Sequence, residues 1–306
     1  MKKKTFLNII MLLFVAVIVV SLTVIGIKLF EYDEITIITE ATADEFTTRT
    51  GFLTIPEDPH ELLDNPDAWY PSYDPYDDNW DPDDPDATPR PTRDPNATPR
   101  PTKVPIPDYT QRFEIPTIGV DFVALRAINP DVCGWLYLPD SAINYPIVRP
   151  SREYSTTYYL SHTWDHQKNI SGTLFTDLIG SGPFTAQNSF IHGHRMNNGS
   201  MFGALNKFKT QSYYNKHQIL QLYTPEQNYL VYVFAAFTAE IDGYETTVVF
   251  DGETAFQKYL DNSVKKSNIK ASYQPSAQNR IVTLSTCVVQ QDTKRFMVQG
   301  YLVPMS

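Results

Sequence analysis

The sequence predicts a mainly β domain with peripheral helices, set behind one membrane-crossing helix and a disordered spacer. Three observations carry this reading: an apolar run over residues 6–27, a proline- and aspartate-rich stretch from Glu57 to Asp108, and a C-terminal region in which short β-branched and aromatic runs recur between turn residues.

The first region spans residues 1–30. Lys2, Lys3 and Lys4 precede an apolar run from Phe6 to Ile27, long enough to cross a bilayer as a helix, and Glu31, Asp33 and Glu34 follow it. Basic residues in front place the amino end in the cytoplasm and the remainder outside. Ala41-Thr-Ala43 matches a signal-peptidase pattern, but it lies well beyond the apolar run, which itself exceeds the roughly 7–15 residues of a signal core. The expectation is a retained anchor: a single-pass protein of the cell membrane, held through residues 6–27, with its C-terminal domain extracellular.

The second region, residues 31–109, is predicted to be an extracellular spacer. Between Glu57 and Asp108 there are 14 acidic residues against 4 basic ones, which accounts for the chain's whole net charge of −10. The acidity is therefore no property of the C-terminal domain, and no basic stripe emerges that would bind nucleic acid. Prolines block helix and sheet while like charges repel, so extended disorder is expected. At about 3.1 Å per residue such a segment reaches on the order of 100 Å or more. The aromatic-acidic stretch Trp69 to Trp80 lacks the glycine position and spacing of a calcium-binding EF-hand loop.

The third region, residues 110–306, is large enough for one core. Helical spacing predicts short helices over Val120–Asn129, ending at Pro130, over Met201–Phe208 and over Glu253–Val264. Strands are predicted at Gly134–Leu138, Gly172–Thr176, Ser189–Ile191, Gln218–Thr224, Tyr229–Ala239, Ile281–Val288 and Phe296–Val303. Closing such strands into a barrel removes exposed edges.

Chemistry concentrates at the end of this region. Cys287 closes the run Arg280-Ile-Val-Thr-Leu-Ser-Thr-Cys287, and Arg295 heads the next run. A cysteine attacks as its thiolate, and the tetrahedral species formed at a carbonyl needs a donor or cation at the oxyanion. Arg295 supplies a permanent charge with several donors. A proton donor for the leaving group would be a histidine, of which there are six: His60, His162, His166, His192, His194 and His217. His192 and His194 lie where a short apolar run breaks into a glycine-containing loop, and chain order alone does not choose between them. Period two puts Ser285 on the same strand face as Cys287, where it could touch bound peptide.

Four segments together resemble class B sortases, the membrane-tethered cysteine transpeptidases of Gram-positive bacteria. They are Thr283-Leu-Ser-Thr-Cys287 with Arg295 downstream, His192-Gly-His-Arg-Met-Asn-Asn-Gly-Ser-Met-Phe202, Ile128-Asn-Pro-Asp-Val-Cys-Gly-Trp-Leu-Tyr-Leu-Pro139, and Tyr145-Pro-Ile-Val148 with Gly172-Thr-Leu-Phe-Thr-Asp177. The family motif usually reads Tyr-Gly-His, so the resemblance assigns the catalytic histidine to His194 and puts His192 where tyrosine is common. Cys133 stands where the family often has an aliphatic residue and reads as a small buried hydrophobe.

The resemblance implies a closed sortase-type β-barrel with peripheral helices and a catalytic set of His194, Cys287 and Arg295, with no metal or organic cofactor. Its substrates would be surface proteins carrying a C-terminal sorting signal, and its acceptor an amine of peptidoglycan. A pilus-type sortase using a protein lysine, a hydrolytic cysteine peptidase and a non-enzymatic stalked binding protein are the competing classes. Two bland uses of the same residues are a Cys133–Cys287 disulfide and a zinc site at His192, His194 and Cys287, which lacks a fixed third ligand.

Overall fold

The computed structural model describes residues 20–25, 27–28, 36, 38–55, 113–151, 153–288 and 291–305. Its centre is a closed eight-stranded barrel, built from strands β3 (Val132–Tyr137), β4 (Asn144–Val148), β5 (Leu174–Thr176), β6 (Asn188–His192), β7 (Ile219–Tyr223), β8 (Tyr229–Glu240), β9 (Ile281–Val288) and β10 (Gln291–Pro304). Their order around the barrel is β10-β8-β7-β3-β4-β5-β6-β9, with β9 and β10 pairing to close it. Two neighbouring pairs, β4–β5 and β6–β9, are parallel, and the others are antiparallel.

Alternation along the strands sends one set of side chains inward. Leu136, Ile147, Leu174, Ile191, Leu222, Val231, Val282, Leu284 and Val298 fill the interior. The outer face is covered as well, so most strands are buried on both sides. Helix α4 (Gly252–Lys266) packs across β8 and buries Phe256, Tyr259, Leu260 and Ser263, spaced i, i+3, i+4 and i+7 so that they form one stripe. A second outer cluster holds Trp135, Val148, Phe175 and Tyr223 under helix α2 (Phe122–Ile128), whose first turn is capped by the Asp121 carboxylate accepting from the Ala124 N–H at 2.9 Å. The short helix α3 (Gln211–Tyr214) and 3-10 turns at Tyr158–Leu160, Phe202–Lys209 and Tyr244–Thr246 complete the shell.

The spacer expected over residues 31–109 is corrected at its start. Residues 38–46 form helix α1, and Thr47–Ile55 form strand β1, which pairs antiparallel with β2 (Phe113–Val120). Burial explains the order: Ala43 and Phe46 join the outer cluster, with the Phe46 ring edge-on to Trp164 at 5.2 Å. β2 is fastened to β7 by the Tyr223 hydroxyl accepting from the Ile118 N–H at 3.0 Å and by the Gln221 amide donating to the Pro116 carbonyl at 2.8 Å. Residues 56–112 lie outside the described residues, as does most of the apolar run 6–27. Residues 20–25 and 27–28 are helical, and among the described residues no helix is long and apolar enough to cross a membrane.

Candidate active site

Cys287 is exposed at the end of β9, directly opposite Arg295 on β10, where the register of the pair breaks between Gln291 and Arg295. Residues 281–286 of β9 are buried, so the strand is clamped up to the thiol and open at it. Arg295 is half-buried, and one of its terminal nitrogens donates to the Lys294 carbonyl at 2.9 Å, which restrains the guanidinium beside the strand end. In-register neighbours share a sheet face, so thiol and guanidinium stand on the same side.

β6 brings the histidine. It runs parallel to β9 with His192 opposite Ser285. Beyond its end the Gly193 N–H donates to the Ser285 carbonyl at 3.2 Å, and the Thr286 hydroxyl donates to the Gly193 carbonyl at 2.9 Å. This staple carries His194 alongside the Cys287 end of β9. Gly193 is required by space: a Cβ there would lie 2.4 Å from Leu174 Cδ2 and 2.9 Å from Phe202 Cδ2. The loop then folds back, with the Phe202 N–H donating to the His194 carbonyl at 2.9 Å and the Met201 N–H to the Tyr145 hydroxyl at 3.0 Å.

The His194 ring is oriented by a group that carries no sequence signal. Its Nε2 lies 2.7 Å from the Leu160 carbonyl, which can only accept, so Nε2 carries a proton and Nδ1 is left to exchange one. Leu160 belongs to the crossover that the parallel pair β4–β5 requires. Thr173 N–H fixes that crossover on the Tyr159 carbonyl at 2.9 Å, and the Tyr159 hydroxyl donates to Asp131 at 2.9 Å.

The two neighbouring histidines therefore have different partners. His192 Nε2 lies 3.2 Å from the Asp177 carboxylate, a pairing that sequence reasoning does not anticipate although Asp177 ends one of the recognised segments. Ser285 faces the same way as Cys287 but is only 4% exposed, so it offers bound peptide little surface. The remaining described histidines are occupied elsewhere: His162 stacks on Tyr158 at 3.9 Å, His217 stacks on Tyr213 at 3.9 Å, and His166 sits among Tyr154, Tyr158 and Tyr159.

The two thiols are distinct and not bonded to each other. Cys133 packs in the barrel interior, and burial pushes its thiol up to about 12. Among the described residues no cluster of three or more His, Cys, Asp or Glu side chains is disposed to hold a metal ion.

A thiol, an imidazole and a guanidinium converging at one barrel end, on β9, the continuation of β6 and β10, are what acyl transfer through a thioester needs. A family model for the sortase domain matches residues 136–303. Sortase B of Listeria monocytogenes is 33% identical over 181 residues, covering 58% of this chain and 72% of the relative. Sortase B of Staphylococcus aureus is 29% identical over 188 residues, covering 60% of this chain and 75% of the relative. A crystal structure of the S. aureus protein superposes with a TM-score of 0.57 at 27% identity, over 60% of this chain and 87% of that one. The barrel, its end-of-strand thiol and these relatives agree, and the chain belongs to the sortase family of cysteine transpeptidases, in its class B.

Proposed function

We propose that this sortase cleaves a C-terminal sorting signal at Cys287, holds the surface protein as a thioacyl intermediate, and transfers it to an amine of cell-wall peptidoglycan. The observation that carries the reading is the convergence of Cys287 and Arg295 across β9–β10 with His194 on the continuation of β6. Sortase B of S. aureus has been solved as a substrate complex, and a sortase B has been solved in complex with triglycine. A peptide signal and an amine acceptor are the two ligand classes proposed here.

The Cys287 thiolate attacks the threonyl carbonyl of the signal, forming an S–C bond. Arg295 stabilises the oxyanion or holds the peptide backbone beside it. His194, protonated at Nδ1 while Nε2 stays on the Leu160 carbonyl, gives its proton to the leaving amine as the C–N bond breaks. The acceptor amine then attacks the thioester, His194 takes the amine's proton, and the thiolate leaves. No step requires a metal or organic cofactor. We further propose that residues 6–27 anchor the chain in the cell membrane with the catalytic domain outside, a reading supported by Lys2 to Lys4 ahead of the run and the acidic residues behind it.

The test is intact-mass analysis of the full chain incubated with a panel of sorting-signal peptides, with and without an amine such as triglycine, beside Cys287→Ala. An acyl-fragment adduct on the wild type only, discharged by amine, supports the proposal. An adduct discharged equally by water, without amine product, favours a hydrolytic peptidase, and discharge only by a protein lysine favours a pilus enzyme. No adduct with any peptide, despite a titratable Cys287 thiol, sinks it in favour of a binding protein. Carbonate extraction of membranes, followed by protease treatment of intact cells, checks the anchor and its orientation.

A further inference from the structure

His192 has no part in the transfer chemistry, yet the fold places it at the site. It pairs in register with Ser285, two residues before Cys287, so its side chain lies on the Cys287 face of the sheet. From strand geometry the separation is on the order of 8 Å between Cα atoms. The ring rests against Phe175 at 5.2 Å and Phe190 at 5.6 Å, which fixes its plane. Its Nε2 lies 3.2 Å from Asp177 Oδ1, and 31% of the His192 side chain and 34% of the Asp177 side chain stay exposed.

A carboxylate only accepts, so Nε2 carries the proton, and in the neutral ring Nδ1 is a second acceptor beside the other carboxylate oxygen. Leu178 and Ile179 follow Asp177 and are exposed, which makes the pair the polar end of an apolar rim. The charged and titratable groups around it are Asp177 after β5, His194 beyond β6, Cys287 on β9 and Arg295 on β10. Arg295 stands across Cys287 from β6, so a peptide at the thiol meets a cation on one side and acceptors on the other. A tyrosine, common at this position in the family, would present a hydroxyl donor instead.

We propose that His192 and Asp177 form a hydrogen-bond-accepting subsite beside the nucleophile, which selects sorting signals carrying a donor side chain, amide or ammonium, near the scissile bond. The inference rests on the transpeptidase reading and adds a determinant of its substrate. Protonating His192 turns Nδ1 into a donor, so the selectivity weakens as pH falls.

The test uses the full chain and peptide pairs of matched shape at each position of the signal: glutamine against methionine, asparagine against leucine, lysine against norleucine. kcat and KM are measured from about pH 5.5 to 8. The expected result is one position where the wild type prefers the donor peptide by about tenfold through KM. His192→Phe and Asp177→Asn reduce this to within about twofold, with kcat on the apolar peptide retained, and His192→Gln, which keeps an acceptor oxygen, restores part of it. The amide and lysine arms identify which donor is read. A wild type without donor preference at any position overturns the proposal, as does a preference unchanged in both variants. Equal loss of kcat on both members of a pair also overturns it, since that marks a structural role. Cys287-dependent adduct formation in the same reactions reports separately on the transpeptidase reading.

Discussion

Cys287 and Arg295 face each other across the last antiparallel pair of the barrel, at the break in register where β10 bends away from β9. The thiol is thus at the edge of the sheet and the cation one strand spacing away. Arg295→Ala is expected to lower kcat/KM by about 10²–10³, the scale for removing an oxyanion donor. Arg295→Lys keeps the charge but loses the planar fork, and should recover only part of that loss. Steady-state peptide cleavage with both variants measures it; full activity in Arg295→Ala would remove Arg295 from the mechanism.

Gly193 sits between the two histidines with no space for a Cβ against Leu174 and Phe202. Both neighbours are fully buried, so the conflict cannot be relieved by moving a free end. Gly193→Ala should cost about 1–3 kcal/mol in urea unfolding and displace His194 from the Leu160 carbonyl. The second effect is read as a loss of kcat larger than that of an equally destabilising substitution in the interior, such as Val231→Ala.

The two cysteines should react differently. Native protein at pH 8 is expected to take one maleimide adduct, at Cys287, and denatured protein two, counted by intact mass. Cys133 also links stability to pH. Its folded value is raised from 9.0 to about 12 by burial, so the folded state holds its proton after the unfolded chain has lost it. Its contribution is complete below about pH 9 and is lost as pH rises toward 12. Buried Tyr145 and Tyr223, also raised to about 12, act in the same direction. Unfolding midpoints should therefore fall over that window, and less steeply in Cys133→Val.

A buried network joins the three strands that carry the site. The Tyr259 hydroxyl accepts from Asn188 of β6 at 3.1 Å and Gln299 of β10 at 2.7 Å, and donates to the Glu245 carbonyl at 2.8 Å. Thr283 of β9 donates to Asn188 at 2.8 Å and accepts from Gln299 at 3.0 Å. Tyr259→Phe leaves buried donors short of an acceptor and should destabilise the protein by about 1–3 kcal/mol. Thermal and urea denaturation check this; a change below about 0.5 kcal/mol would show that the network carries no net stability.

Alternation and turn residues locate seven of the eight barrel strands, because a strand packed against a core keeps its period of two. β4 is legible only as a motif, since Pro146 reads as a strand breaker. Here its missing N–H falls where β4 does not yet pair with β5, a pairing that begins at Ile147. β1 and α1 are hidden beside an acidic, proline-rich stretch because their order comes from docking on the barrel. Period two gives the correct directions along β9, but both of its faces are buried, since α4 covers the outer one.

By itself the sequence determined the chemical inventory: a thiol at the end of a strand, an arginine at the head of the next, and two candidate histidines in one loop, all in an order that resembles one family. Only the tertiary structure decided which groups meet. The parallel pairing of β6 with β9 brings together residues far apart in the chain, and strand periodicity says nothing about which strands become neighbours. The same holds for the partners of the histidines. A backbone carbonyl such as that of Leu160 is identical at every position until a fold aims it, and Asp177 becomes the counterpart of His192 only because β5 lies beside β6.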